Sequence, residues 1–207
     1  MLKERTYKNM VLIPGSEFSM GSEKESRLTS PGKKVMVDSF YMDIYPVTNK
    51  EYQKVISTWR FDPEKGNYPI VGLMYDEILE YCRLTGKRLP TEAEWEKAAR
   101  GDRDRRFYPW GNNFNAIKCN CRSFFFLLKQ KPTPVEAYPE GCSPYGCFDM
   151  SGNVLEWTAT KVNQEQYVLK GGSCTSPSKK YLTISSRLIS HKDWVNQNYG
   201  FMCCCAT

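Results

Sequence analysis

The sequence contains one histidine, His191, and its nine cysteines include no C-x-x-C pair. A centre built on several imidazoles is excluded, and the paired spacing of most zinc sites is absent. Long apolar runs are missing as well. The stretch Met10–Ile13 is too short for a membrane span or a signal peptide, so the chain as written reads as soluble, with a longer secreted or multidomain parent left open. The net charge is +6, but the basic residues come in small groups such as Lys33–Lys34, Arg103–Arg106 and Lys179–Lys180. No nucleic-acid reading motif accompanies them, and a solvated surface is expected in place of a nucleic-acid partner. A disulfide framework is also disfavoured. The cysteine count is odd, and Cys203, Cys204 and Cys205 are consecutive, where bridges between neighbours are strained. A reducing, cytoplasmic setting is therefore favoured, with the cell surface as the alternative if a signal peptide has been removed.

What is present points to one loop-rich α+β domain over residues 8–207. The chain has 207 residues, 41% of them hydrophobic and 14% aromatic, with glycine and proline dispersed along it. Residues 10–22, MVLIPGSEFSMGS, have the pattern of a hairpin turning at Pro14–Gly15, and Lys34–Tyr45 reads as a further strand. A helix starts at Thr48, which forms a capping-box pattern with Glu51 and places Tyr52, Val55 and Ile56 on one face. A second runs from Tyr75 to Leu84 and stops at Gly86. The third opens with the Thr91–Glu94 box, carries Trp95, Ala98 and Ala99 on its apolar stripe, and ends at Gly101. Residues 123–128, SFFFLL, fit either a buried strand or a self-association surface that would make a homodimer. Tyr167–Lys170 and the closing GFMCCCA read as strands, with a polar, irregular segment from Cys174 to Tyr199 between them.

Eight segments in this order, VLIPGSEFSMGS, VDSFYMDIYPVTNKEY, PIVGLMYDEILEYC, GKRLPTEAEWEKAARG, YPWGN, TPVEAYPEGCSPYGCFDMSGNVLEWT, VLKGGS and the closing GF, resemble the formylglycine-generating enzyme (sulfatase-modifying factor) family. The resemblance implies a variant of the C-type lectin fold with few helices, small antiparallel sheets and much irregular structure. It also implies a small sheet reached by both the strand before Gly171 and the final strand. Family members often bind calcium through a G-N-x-x-E segment, here Gly152–Glu156, with Asn153, Val154 and Glu156 as oxygen donors. The residues alone fit equally well a turn in which Asn153 and Glu156 bond to the backbone. A second calcium segment of the family would begin at Asn120, but its further partners do not align.

Active members of the family oxidise a substrate cysteine with copper and oxygen. They use two cysteines at the third and eighth positions after the G-G-S serine, which here are Ser176 and Tyr181. Neither offers the soft thiolate that Cu(I) prefers, so no catalytic residue and no copper are expected. Cys174 and the Cys203–Cys205 triplet leave a rearranged copper-dependent oxidase as the alternative. The iron-dependent branch, which needs three histidines, is excluded. The arginine that usually follows the closing Gly-Phe is Met202. The function expected is thus a noncatalytic module that binds a protein or small molecule through residues 174–199, presenting Lys179, Lys180, Tyr181, His191, Trp194, Asn196, Asn198 and Tyr199. Two family contexts suit such a module: a domain appended to bacterial kinase-like signalling proteins, and the variable protein of a diversity-generating retroelement.

Overall fold

In the N-terminal part of the computed structural model, four short strands form one antiparallel ribbon: β1 (Met10–Ile13), β2 (Ser16–Met20), β3 (Lys33–Val37) and β4 (Phe40–Asp43). The structure describes residues 8–22, 29, 31–102, 105–122 and 131–207, and the SFFFLL segment lies outside them. β1 pairs with β4 and β2 with β3 as two ladders in the same register, Met10 opposite Asp43 to Ile13 opposite Phe40 and Ser16 opposite Val37 to Met20 opposite Lys33. The hairpin expected within residues 10–22 is therefore not formed. Proline fixes a negative φ, whereas two-residue hairpins need the opposite twist at that position. Pro14–Gly15 instead bends the strand, and opposite it the segment expected to be one strand from Lys34 breaks at Asp38–Ser39. The Gly15 amide donates to the Ser39 hydroxyl across the break, at 2.8 Å.

The three helices follow their sequence signals closely. α1 (Asn49–Val55) and α3 (Glu92–Arg100) carry complete capping boxes at Thr48–Glu51 and Thr91–Glu94. α2 (Tyr75–Thr85) ends at Gly86 with φ 66°, a left-handed geometry that glycine adopts without strain. The C-terminal part holds β5 (Leu155–Lys161), β6 (Gln166–Lys170), β7 (Arg187–His191), β8 (Tyr199–Gly200) and β9 (Cys204–Ala206). One sheet is ordered β7-β6-β5-β8 and another β1-β4-β9. Two expectations are corrected here. The segment 174–199 is not wholly irregular, because β7 pairs along its length with β6. The final strand and the strand before Gly171 also lie in different sheets, since β9 takes the free side of β4. Few helices and several small sheets make this an α+β, C-type lectin-like fold.

One core cluster packs Trp95, Ala98 and Ala99 of α3 against Ile13, Phe18, Phe40, Met42 and Met202. A second joins Tyr52, Tyr75, Ile78 and Tyr81 to Trp157, Leu169 and Phe201. The apolar stripe of α3 was legible in the sequence, but its polar residues are buried too. Lys170, with 0% exposure, reaches Glu96 at 2.9 Å and Glu92 at 3.3 Å. Glu96 also accepts from the Gly21 amide at 2.8 Å and from Arg100 at 3.4 Å, and Arg187 reaches Glu92 at 3.3 Å. Charges removed from water need such partners. Here they bind α3 to the ribbon, to β6 and to β7.

Candidate functional site

The Gly171–Gly172 turn sets the position of everything after it. Both residues have positive φ, 87° and 70°. A side chain at Gly172 would start 2.5 Å from the Tyr181 carbonyl oxygen, and one at Gly171 would start 3.1 Å from the Trp95 ring. Only glycine lets residues 179–182 lie this close. That short 3-10 turn presents Lys179 and Lys180 outward, and Leu182 packs inward with Tyr108, Cys119 and Cys121. The Tyr108 hydroxyl donates to the Lys179 carbonyl at 3.4 Å, and its ring stacks on Trp110 with centroids 5.3 Å apart.

The other sequence-predicted residues form two further groups. At the end of β7, His191 lies 3.8 Å from Glu165 and 3.5 Å from Asp193, and Lys192 pairs with Glu165 at 3.3 Å. The next turn exposes Trp194 at 62%, and the Tyr75 amide, next to exposed Met74, donates to the Lys192 carbonyl. In the third group, the Asn198 amide donates to Asn196 Oδ1 at 2.9 Å, and the Tyr199 ring meets Trp157 edge-on at 5.6 Å. Among the described residues, no hydrogen bond or ring contact joins Lys179–Tyr181 to the His191–Trp194 turn. Met74, Val195 and Glu165 were not singled out in the sequence, because single exposed apolar or acidic residues carry no periodic signal.

Beneath this surface lies a polar hub at Asn153, which is fully buried with φ 58°. Its side-chain oxygen accepts from the Thr133 amide at 2.9 Å and from Asn120 Nδ2 at 3.2 Å. Its side-chain nitrogen donates to the Thr133 carbonyl at 3.2 Å and to Asp149 Oδ2 at 3.1 Å. Its backbone carbonyl takes the Cys174 amide at 3.0 Å. Asn120, taken from a different motif, thus meets Asn153 directly. Glu156 points elsewhere. Its Oε2 accepts from the Trp95 indole at 2.6 Å, while its buried Oε1 has no partner among the described residues. Burial pushes the Glu156 carboxyl well above the usual range, and pushes Asp149 up to about 7 against the opposing bond from Asn153. Of the residues put forward for calcium, Glu156 therefore has a free oxygen, whereas the Asn153 oxygen is already engaged. Asp149, which raises Glu156 electrostatically, adds a second buried carboxyl.

Cys174 and the terminal cysteines do not converge on one site. Ser176 is buried and its hydroxyl accepts from the Ser173 amide at 2.9 Å. Cys174 donates to Asn198 Oδ1 at 3.6 Å, and burial raises its thiol to about 11, so it is protonated at neutral pH. The terminal triplet sits with other partners. Cys203 lies against Cys82, Cys204 accepts from the Arg88 guanidinium at 2.9 Å, and Cys205 faces Met10. The separation follows from β9 joining β4 instead of the sheet of β6. Among the described residues, only the exposed Glu165, His191 and Asp193 bring three metal-ligand atoms together.

Comparison with known proteins agrees with this reading of the motifs. The chain is 28% identical to the Bos taurus inactive C-alpha-formylglycine-generating enzyme 2, over 94% of this chain and 87% of that protein. It is 31% identical to the serine/threonine-protein kinase pkn1 of Chlamydia pneumoniae, over 94% of this chain but only 37% of the kinase. The fold superimposes on Treponema denticola variable protein 1 with a TM-score of 0.81 at 18% identity, covering 96% of this chain and 95% of that one. With residues 1–207 matching throughout, the chain belongs to the sulfatase-modifying factor enzyme 1-like domain family, that of the formylglycine-generating enzymes.

Proposed function

We propose that this chain is a noncatalytic module that binds a protein or small-molecule ligand on the face formed by residues 174–199. The observation that carries this reading is the contrast between the two sides of that segment. Its inner side is fixed by the Gly171–Gly172 turn and by Asn153, whereas Lys179, Lys180 and Trp194 stand in solvent, with no hydrogen bond, ion pair or ring contact to their ammonium or indole groups among the described residues. Exposed aromatic and basic side chains on a rigid support are the raw material of recognition. Ser176 and Tyr181 at the family's thiol positions, and a relative named as inactive, support the absence of oxidase chemistry. The kinase relative supports a place in bacterial signalling, and the variable-protein fold match supports a diversified receptor. The nine free thiols favour the cytoplasm.

A photo-crosslinking residue at position 194 or 180 should capture a partner in host cells, while the same residue at exposed Ile117 should not. Equal capture from all three positions would overturn the assignment of the face. The oxidase alternative is checked by copper-dependent oxygen consumption with a cysteine-containing peptide. None is expected, and activity lost in Cys174→Ser would reverse the conclusion.

A calcium ion, if bound at the 152–156 segment, would draw on the unpartnered Oε1 of Glu156 and would supply the positive charge that this buried carboxyl lacks. Calcium should then raise the Tm at pH 7.5 in wild type and not in Glu156→Gln.

A further inference from the structure

Cys82 and Cys203 both belong to the second core cluster, apart from the side chains of the proposed binding face. Their sulfur atoms are 3.6 Å apart, in contact, although 121 residues separate them in the chain. Both are buried, with exposures of 3% and 0%. Cys82 is on the inward face of α2, and Cys203 directly precedes β9. The Cys203 amide is held by Asp43 at 2.8 Å, and the following residue exchanges both backbone hydrogen bonds with Arg88, so neither sulfur is free to drift away. Cys82, unlike Cys203, lines an open cavity of about 510 Å³ together with Leu79, Lys87, Leu89 and Ala159, and this is the side from which a small molecule would approach the pair.

We propose that Cys82 and Cys203 are a site of reversible oxidative cross-linking, a disulfide latch between α2 and the C-terminal strand. A small disulfide supplies the oxidant. The Cys82 thiolate attacks one of its sulfurs and releases one thiol. Cys203 then displaces the second thiol from the mixed disulfide, so that two electrons and two protons leave the protein and the oxidant is reduced to two thiols. Burial, reinforced by the neighbouring Cys82 sulfur, holds the Cys203 thiol well above its ordinary range, which makes closure slow and fits a latch more than a rapid sensor. The link would close a loop spanning most of the chain, where a cross-link restricts the unfolded state most. It would also fasten Phe201, which packs on Tyr81 of α2, and with it the strand Tyr199–Gly200 that ends the proposed binding face. The latch does not depend on what that face binds.

The test is incubation of the full chain with hydroxyethyl disulfide, followed by alkylation of free thiols, non-reducing peptide mapping and thermal melting. A Cys82–Cys203 cross-linked peptide is expected, with a Tm rise of about 5–10 °C that dithiothreitol reverses. Cys82→Ser and Cys203→Ser should each abolish the peptide and the shift, while Cys204→Ser keeps both. A map in which Cys82 and Cys203 are both alkylated, or in which the link joins other cysteines, overturns the proposal. So does an oxidised wild type with an unchanged Tm. If Cys203→Ser fails to fold, the wild-type map and Cys82→Ser alone still decide the matter.

Discussion

The polar face of α3 and the face of residues 174–199 both carry charged side chains, and the fold treats them in opposite ways. On α3, Glu92, Glu96 and Arg100 are buried and each is paired, with Lys170 and Arg187 completing the set. On the other face, Lys179, Lys180 and Trp194 are exposed, and nothing in the packing requires them. The difference separates charge that holds the frame from charge that is available to a ligand.

Four tests would break or sharpen that contrast. Lys170→Met should cost about 3–5 kcal/mol in urea unfolding, because it leaves buried carboxylates short of a cation. A loss below about 1 kcal/mol would mean that the network contributes little. The next largest effect concerns pH. Asp149 titrates at about 7 in the fold, against an ordinary 3.8. Between those values the folded chain holds a proton that the unfolded chain has released, so stability present below about pH 4 is lost as pH rises toward 7. Melts at pH 4.5 and 7.5 should show wild type losing about 2–4 kcal/mol more than Asp149→Asn across that range. Asp43, raised by burial to about 6, titrates in both proteins and cancels in the comparison. Thr91→Ala removes the α3 cap and should cost about 1 kcal/mol. Finally, Lys179→Ala, Lys180→Ala and Trp194→Ala should each change stability by no more than about 0.5 kcal/mol while lowering crosslinking to the partner. A large stability loss in any of them would place it with the frame.

The capping boxes at Thr48 and Thr91 and the stop at Gly86 were legible in the sequence because each is a local bargain between neighbouring residues. The pairing of β1 with β4 was not, since Pro-Gly between two apolar runs marks a bend without saying which strand lies alongside. The buried face of α3 was hidden for another reason. Glu, Lys and Arg at helical spacing normally indicate water, and only the arrival of Lys170 from a distant strand inverts that meaning. At the candidate site, composition singles out the segment and eight of its residues as candidates. Their division into three groups, and the meeting of Asn120 with Asn153, depend on tertiary contacts that no local pattern records.

The pairing of β9 with β4 also has a meaning in time. When a ribosome makes this chain, β4 emerges early and can pair with β1 at once, yet its other edge stays open until residues 204–206 appear. Asp43 at the end of β4 waits across 160 residues for the Cys203 amide that it accepts. An open strand edge is a template for unwanted pairing, and such distant contacts slow closure. Residues 204–206 therefore seal a sheet whose other two strands are made far earlier, and a nascent chain stalled before residue 204 would carry an exposed edge on β4.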